Sequence, residues 1–278
     1  HDHDGQPDAF IVTADGTVAL LLNQGSGNFQ DITLLAGLAG AAEKTLIMAY
    51  DADPVSMDPH EQLSGGTLQL SHMIFDPLVR WTRARHFEGR LAEKWERLDA
   101  RTMRFHLRKG VTFHSGHPFT ATDVKYTFDR LKRSPDFKAL FEPVSVCRIV
   151  DDHTVELVTA KPYPLLLQMA TYLFPLDHRF YAGKDELKKH GDSFASRNAS
   201  GTGPFTVSER QQGVKVVFDR FPKYWDTRSP GNVGKIILTP IKEGPTRVAA
   251  LLSGDVDFIA PVPPNDHARI KRDPKLNL

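Results

Sequence analysis

At 278 residues, 40% of them hydrophobic, the chain is long enough for two domains with real cores. Thirty-five Lys and Arg against 34 Asp and Glu give a formal charge of +1, which offers no electrostatic footing for nucleic acid or an anionic membrane surface. The single cysteine, Cys147, excludes an intramolecular disulfide and a thiolate metal cluster, and no run approaches the ~18 apolar residues of a membrane-spanning helix.

At the start of the chain, Asp2, Asp4, Gly5 and Asp8 have the D-x-D-G-x-x-D spacing that gathers carboxylates around a hard cation. Asp2, Asp4 and Asp8 are therefore candidate calcium ligands, the competing reading being a solvated acidic turn. His1 and His3 have no second pair to complete a transition-metal site. Phe10 to Thr13 and Val18 to Leu22 are strand-like runs separated by Asp15-Gly16. With the closing phrase from Gly25 to Thr33, this stretch resembles one repeat of the FG-GAP or VCBS β-propeller class. One repeat cannot bury its own faces, and such folds need about three, so residues 1–42 read as an appended segment. Ile32 to Ala42 also carries a small-residue pattern, Ala39-Gly40-Ala41, of the kind found at signal-peptide cleavage sites, although Asp31 stands where a basic residue is expected.

Further along, Met103, Phe105 and Leu107 alternate with Arg104, His106 and Arg108, which predicts a strand with one buried face. Lys109-Gly110 turns the chain, Val111 and Phe113 start a second short strand, and Ser115-Gly116 and Pro118 punctuate. Thr120 or Thr122 then caps a helix with Asp123 in its first turn and Val124, Phe128 and Leu131 at helical spacing. Val155 and Leu157 alternate in another strand, and Tyr163 to Tyr172 carries a helical apolar face after Pro162. The polar stretch Lys184 to Ser200 reads as an exposed connection. Gly201 to Phe205 opens a strand, its glycines serving first to turn the backbone. Val214, Val216 and Phe218 point one way along the next strand. Phe221, Tyr224 and Trp225 form an aromatic cluster, read as packing under a loop rather than as a stacking site. Thr246 is the expected cap of a helix ending at Gly254.

No catalytic constellation is present. His114-x-x-His117 could supply half of a metal site, but the surrounding Gly and Pro favour a hairpin connection. There is no H-E-x-x-H helix, no G-x-S-x-G elbow and no phosphate-cradling glycine loop, so the chain is not expected to be an enzyme. Cys147 reads as a buried small side chain.

The order strand, turn, strand, turn, capped helix over Leu91 to Leu131 resembles the signature region of the family 5 extracellular solute-binding proteins, the peptide- and nickel-binding receptors of ABC importers. Further stretches match in family order: Thr45 to His60 with its Asp58-Pro59-His60 loop, Gly201 to Phe205, Phe221 to Trp225, and Leu251 to Ile259. The resemblance implies an α/β (mixed α+β) fold, a periplasmic-binding-protein-like type II lobe with an inserted small domain, the second lobe missing. Lobe I is expected over 43–75 and 186–278 and the insert over 76–185. The implied function is reversible capture of an oligo- or dipeptide, or another small solute, in an interlobe cleft, for delivery to the membrane permease of an ABC importer. Family members pair main-chain groups with an extended peptide along the loop that corresponds to Leu63, Ser64 and Gly65. Ala260, Pro261 and Val262 form a second cleft-facing stretch, where prolines remove amide donors and so suit a different or smaller ligand. Gly203 is a secondary candidate. A monomer without a cofactor, beyond calcium at the N-terminal loop, and a periplasmic or extracellular location complete the expectation. The alternative is a noncatalytic adhesion or scaffold module built on the propeller-like repeat, or a nonfunctional fusion fragment.

Overall fold

The computed structural model describes residues 9–14, 17–23, 29–31, 44–63, 65–82, 84–187, 191–227 and 232–276. In chain order these form strands β1 (Ala9–Ala14), β2 (Thr17–Asn23), β3 (Phe29–Asp31) and β4 (Lys44–Tyr50), helix α1 (Gly65–Ile74), and strands β5 (Val79–Trp81), β6 (Phe87–Gly89), β7 (Ala92–Arg97) and β8 (Thr102–Leu107). Helices α2 (Ala121–Leu131) and α3 (Lys138–Phe141) follow, then strands β9 (Val144–Asp151) and β10 (Thr154–Thr159) and helices α4 (Leu166–Met169) and α5 (Phe194–Arg197). The rest comprises β11 (Phe205–Gln211), β12 (Lys215–Arg220), β13 (Val233–Pro240), α6 (Gly244–Ser253), β14 (Phe258–Ala260) and α7 (His267–Lys271).

The two runs expected near the N-terminus are β1 and β2, paired antiparallel with Ala14 opposite Thr17, and β3 extends them to a three-stranded sheet. Asp2, Asp4 and Asp8, and the segment 32–42, lie outside the described residues. The chain packs as two compact units. One contains the described residues up to Pro54, Val207–Arg220, and those from Asp226 onward; the other contains Val55–Thr206 and Phe221–Trp225. Packing thus divides the chain at 54/55 and 206/207, so residues 55–75 and 186–206 fall with the expected insert of 76–185.

The first unit is organised on a mixed sheet of order β11-β12-β13-β4-β14. β4 runs parallel to both of its neighbours, β13 and β14, and, paired on both sides, it buries Met48 and Ala49 completely. β12 returns antiparallel to β13. Val216 and Phe218 are buried on β12, but Val214 precedes the strand and is 55% exposed, because the turn through Gly213 takes it out of the ladder. α6 begins after Glu243, with Pro245 in its first turn, and ends on Gly254 in the left-handed conformation. Thr246 is therefore inside the helix rather than its cap. Val248 and Leu251 of α6 pack with Ala49, Val256, Ile259 and Ile270.

The second unit carries an antiparallel sheet of order β7-β8-β10-β9. The alternation on β8 holds: Met103, Phe105 and Leu107 are buried, and α2 lays Val124, Phe128 and Leu131 into the same core. Cys147 of β9 is buried there too, and desolvation pushes its thiol up to about 12, so it is an inert packing residue. On the solvent face, Glu96, Arg104, Glu156 and Arg148 stand directly opposite one another on four successive strands. Arg104 bonds Glu156 at 2.7 Å and approaches Glu96 at 3.8 Å, and Arg148 bonds Glu156 at 3.0 Å, giving a row of alternating charge across the sheet.

Two local expectations are corrected. Val111 to Phe113 is not a strand; it is a loop closed by a lone bridge between Thr112 and Pro118, because the next amide, His114 N–H, turns away to the Gly201 carbonyl. The stretch up to Ser200 is not merely an exposed connection. Ser193 caps α5, Ser196 and Ser200 are buried, and the Met57 amide donates to the Ser196 carbonyl. The choice of cap on α2 is settled as Thr120, whose N–H and hydroxyl both donate to Asp123 Oδ2 at 2.8 and 3.2 Å.

Candidate functional site

The loop from Ser56 to Leu63 has no regular structure, yet Ser56, Met57, Asp58, His60 and Glu61 are all buried. It is held by side chains from α2 and the turn after it. Arg130 forks onto Asp58 with Nη1 to Oδ1 at 2.9 Å and Nη2 to Oδ2 at 2.5 Å, and the same Nη1 reaches His60 Nδ1 at 3.2 Å. Ser134 donates to the His60 carbonyl at 2.8 Å, the Leu63 amide donates to Asp136 at 3.3 Å, and Glu61 accepts from the Gly191 amide at 2.8 Å. Burial alone would raise the Asp58 carboxyl, but the Arg130 charge and hydrogen bonds outweigh it and hold Asp58 below the usual carboxylate range. Burial, helped by Arg130, pushes His60 down to about 3, so its Nδ1 is a neutral acceptor. Of the candidate residues here, Leu63 is 42% exposed, Gly65 opens α1, and Ser64 lies outside the described residues.

Gly203 is not available to a ligand through its amide. It is buried against the end of α1, where its N–H donates to the Ile74 carbonyl at 2.8 Å and a Cβ would sit 2.5 Å from the Ile74 carbonyl carbon. His114 straps the same glycine turn, with Nε2 on the Gly203 carbonyl at 2.9 Å and Nδ1 accepting from the Gly201 amide at 3.3 Å. His117 pairs instead with the buried Asp177 at 2.9 Å, so the two histidines do not converge. Among the described residues no group of three His, Cys, Asp or Glu side chains could hold a metal ion. Tyr224 and Trp225 pack into a buried polar hub: the Trp225 indole donates to Asp76 at 2.8 Å, Arg90 pairs with Asp76 at 2.8 Å, and the guanidiniums of Arg90 and Arg108 lie over the indole at 4.8 and 4.5 Å.

In the other unit, β14 ends at the buried Ala260, the Ala260–Pro261 bond is cis, and Pro261 is exposed. The buried Arg247 braces this exit, donating to the carbonyls of Ile241, Lys242 and Pro261 at 2.8, 2.9 and 3.0 Å. Val262 is half-buried beside the α6 core. Leu63–Gly65 and Ala260–Val262 thus belong to different units. Neither Arg130 nor Arg247 was singled out by periodicity. A signal exists for Arg130: Asp123, Thr127 and Arg130 repeat at i, i+4, i+7, a fully buried polar stripe beside the apolar one.

Burial also pushes His72 and His114 down to about 4 each, from 6.5. Together with His60 these imidazoles stay neutral in the folded chain while the unfolded chain protonates them. The stability these imidazoles contribute is therefore fully present above pH 6.5 and is lost as pH falls from there toward 4, with a slope of about 1.4 kcal/mol per pH unit for each histidine. Urea midpoints at pH 7.5 and 5 are expected to show the drop; equal midpoints would contradict it.

A sequence model described as bacterial extracellular solute-binding proteins, family 5 middle, matches residues 86–278. The chain belongs to this family. Among family 5 relatives, the dipeptide-binding protein of Escherichia coli K12 is 30% identical over 266 residues, covering 86% of this chain and 49% of its own length. Di/tripeptide-binding protein 1 of Pseudomonas aeruginosa is 27% identical, covering 88% and 50%. The fold matches the periplasmic binding protein DppA of Helicobacter pylori, solved with the peptide STSA, at a TM-score of 0.74 and 24% identity over 84% of this chain and 49% of that one. The chain spans about half the length of the curated relatives it matches. Family 5 proteins are solute-binding transport proteins, and no helix among the described residues is long and apolar enough to cross a membrane.

Proposed function

We propose that this chain is part of the solute-capturing receptor of an ABC importer and takes up di- or oligopeptides by reversible binding. The observation that carries the reading is the family 5 match over residues 86–278 together with the named peptide-binding relatives. Capture requires shape and hydrogen bonds but no covalent step, and no cofactor is invoked. The residues assigned to the solute are Leu63, Ser64 and Gly65, a stretch suited to offer main-chain groups to an extended peptide, and Ala260, Pro261 and Val262, a proline-rich stretch with few amide donors. The receptor works as a monomer in the periplasm or outside the cell, with the importer's permease as its protein partner and no role for nucleic acid.

The test is a thermal melt followed by the fluorescence of Trp81, Trp95 and Trp225, with and without a di- to pentapeptide pool. Peptide at about 100 times its dissociation constant adds roughly 2.7 kcal/mol to the folded state and moves the melt upward. A cooperative melt that no peptide in the pool shifts would overturn the reading for this chain.

A further inference from the structure

We infer that Arg130 is the positioning residue for the buried loop that runs from Asp58 to Leu63, acting from the far end of α2 through Asp58 and His60. The inference rests on the reading that this loop meets the solute.

An irregular buried segment has to answer its own backbone polar groups, since no ladder does so. In the stretch 58–63 the answers come from Asp58 within the loop, which also takes the Glu61 amide on its carbonyl, and from the turn after α2. The His60 amide is taken by Asp58 Oδ1 at 2.9 Å, the His60 carbonyl by Ser134, and the Leu63 amide by Asp136. Asp58 is itself aimed by Arg130, whose Nε also donates to the Asp185 carbonyl at 3.2 Å. A fully buried ion pair contributes little net stability over an apolar pair of the same size, but its two parallel bonds fix direction. Four acceptors, Asp58 Oδ1 and Oδ2, His60 Nδ1 and the Asp185 carbonyl, surround one planar fork. The point charge of a lysine cannot serve them together. The helix that carries this fork is the capped helix of the Leu91–Leu131 stretch. The signature region thereby sets where the exposed Leu63 stands.

Native-state amide hydrogen exchange on the whole chain, with Arg130→Lys and Asp136→Ala, tests this. In Arg130→Lys the amides of His60, Glu61 and Leu63 exchange about tenfold faster, the equivalent of one lost charged hydrogen bond, while those of β8 and β10 keep their rates. The peptide dissociation constant rises by a similar factor. In Asp136→Ala, which leaves the ion pair intact, the acceleration is confined to Leu63. Unchanged rates at 60–63 in Arg130→Lys, or a uniform rise across the unit, would overturn the inference. Should that variant not fold, Asp58→Asn takes its place, removing the charge that the Arg130 fork grips while keeping the side chain's size; unchanged exchange at His60 and Leu63 there also overturns the inference. A parent chain that binds no peptide sinks the proposed function, whereas the exchange pattern still decides whether Arg130 places the loop.

Discussion

Asp76→Ala is expected to destabilise the unit built on residues 55–206 by about 3–5 kcal/mol, the range for removing one partner of a buried ion pair. Asp76 and Arg90 are 4% and 1% exposed at their side chains, so water cannot replace the carboxylate. Asp76 also accepts from the Trp225 indole, the Tyr224 hydroxyl at 3.2 Å and the Thr202 hydroxyl at 3.3 Å, and three separate loops lose a common acceptor at once. A domain stable by about 5–15 kcal/mol loses a large share of that margin. The double variant Asp76→Ala/Arg90→Met is expected to recover only the part of the loss that comes from the guanidinium left without its carboxylate, since the Trp225, Tyr224 and Thr202 donors still lack their acceptor. Urea unfolding of the single and double variants decides the matter; equal losses would place the whole cost in the three other donors and none in the ion pair.

Gly201→Ala is the second large effect, expected at about 1–3 kcal/mol or more by overpacking. A Cβ there would lie 2.0 Å from the Ile74 carbonyl oxygen and 2.6 Å from Phe75 Cδ1. The oxygen is backbone at the end of α1 and has no rotamer through which to yield. Gly213→Ala is the informative contrast: its φ of +74° penalises a side chain, but nothing lies within 4 Å of the added atom, so only the conformational cost of about 1 kcal/mol remains. Thermal or urea midpoints for the two variants should separate; coincident midpoints would mean that α1 can shift to make room at Gly201.

Gly201 also shows where sequence reading succeeds and where it stops. The Gly201–Phe205 phrase was legible as a strand opening, and β11 begins at Phe205. That its glycines admit the end of α1 was not, because close approach of two backbones leaves no periodic trace. The same division holds elsewhere. Alternation on β8 and the spacing of Val124, Phe128 and Leu131 each follow from burying one face, so they were readable. Val111–Phe113 alternates too, but a competing acceptor on Gly201 diverts the chain, and such tertiary competition is invisible locally. At the candidate site, the exposed Leu63 came from family resemblance, whereas the machinery that holds its loop sits some 70 residues away on α2. Alternation alone extends the strand to Val214, which lies one residue outside β12, where a glycine turn outweighs pattern.

The alternating row of Glu96, Arg104, Glu156 and Arg148 has a consequence for how the four-stranded sheet finds its alignment. Hydrophobic alternation rejects a slip of one residue, because that would turn every buried side chain outward. It is blind to a slip of two, which restores the same faces. The charge row is not blind in one direction: the slip of β8 that sets Thr102 between Glu96 and Glu156 would leave two carboxylates flanking an uncharged hydroxyl in place of the Arg104 fork. The face away from the core thus reads an error that the core overlooks, and proofreads the alignment of β8 against both its neighbours.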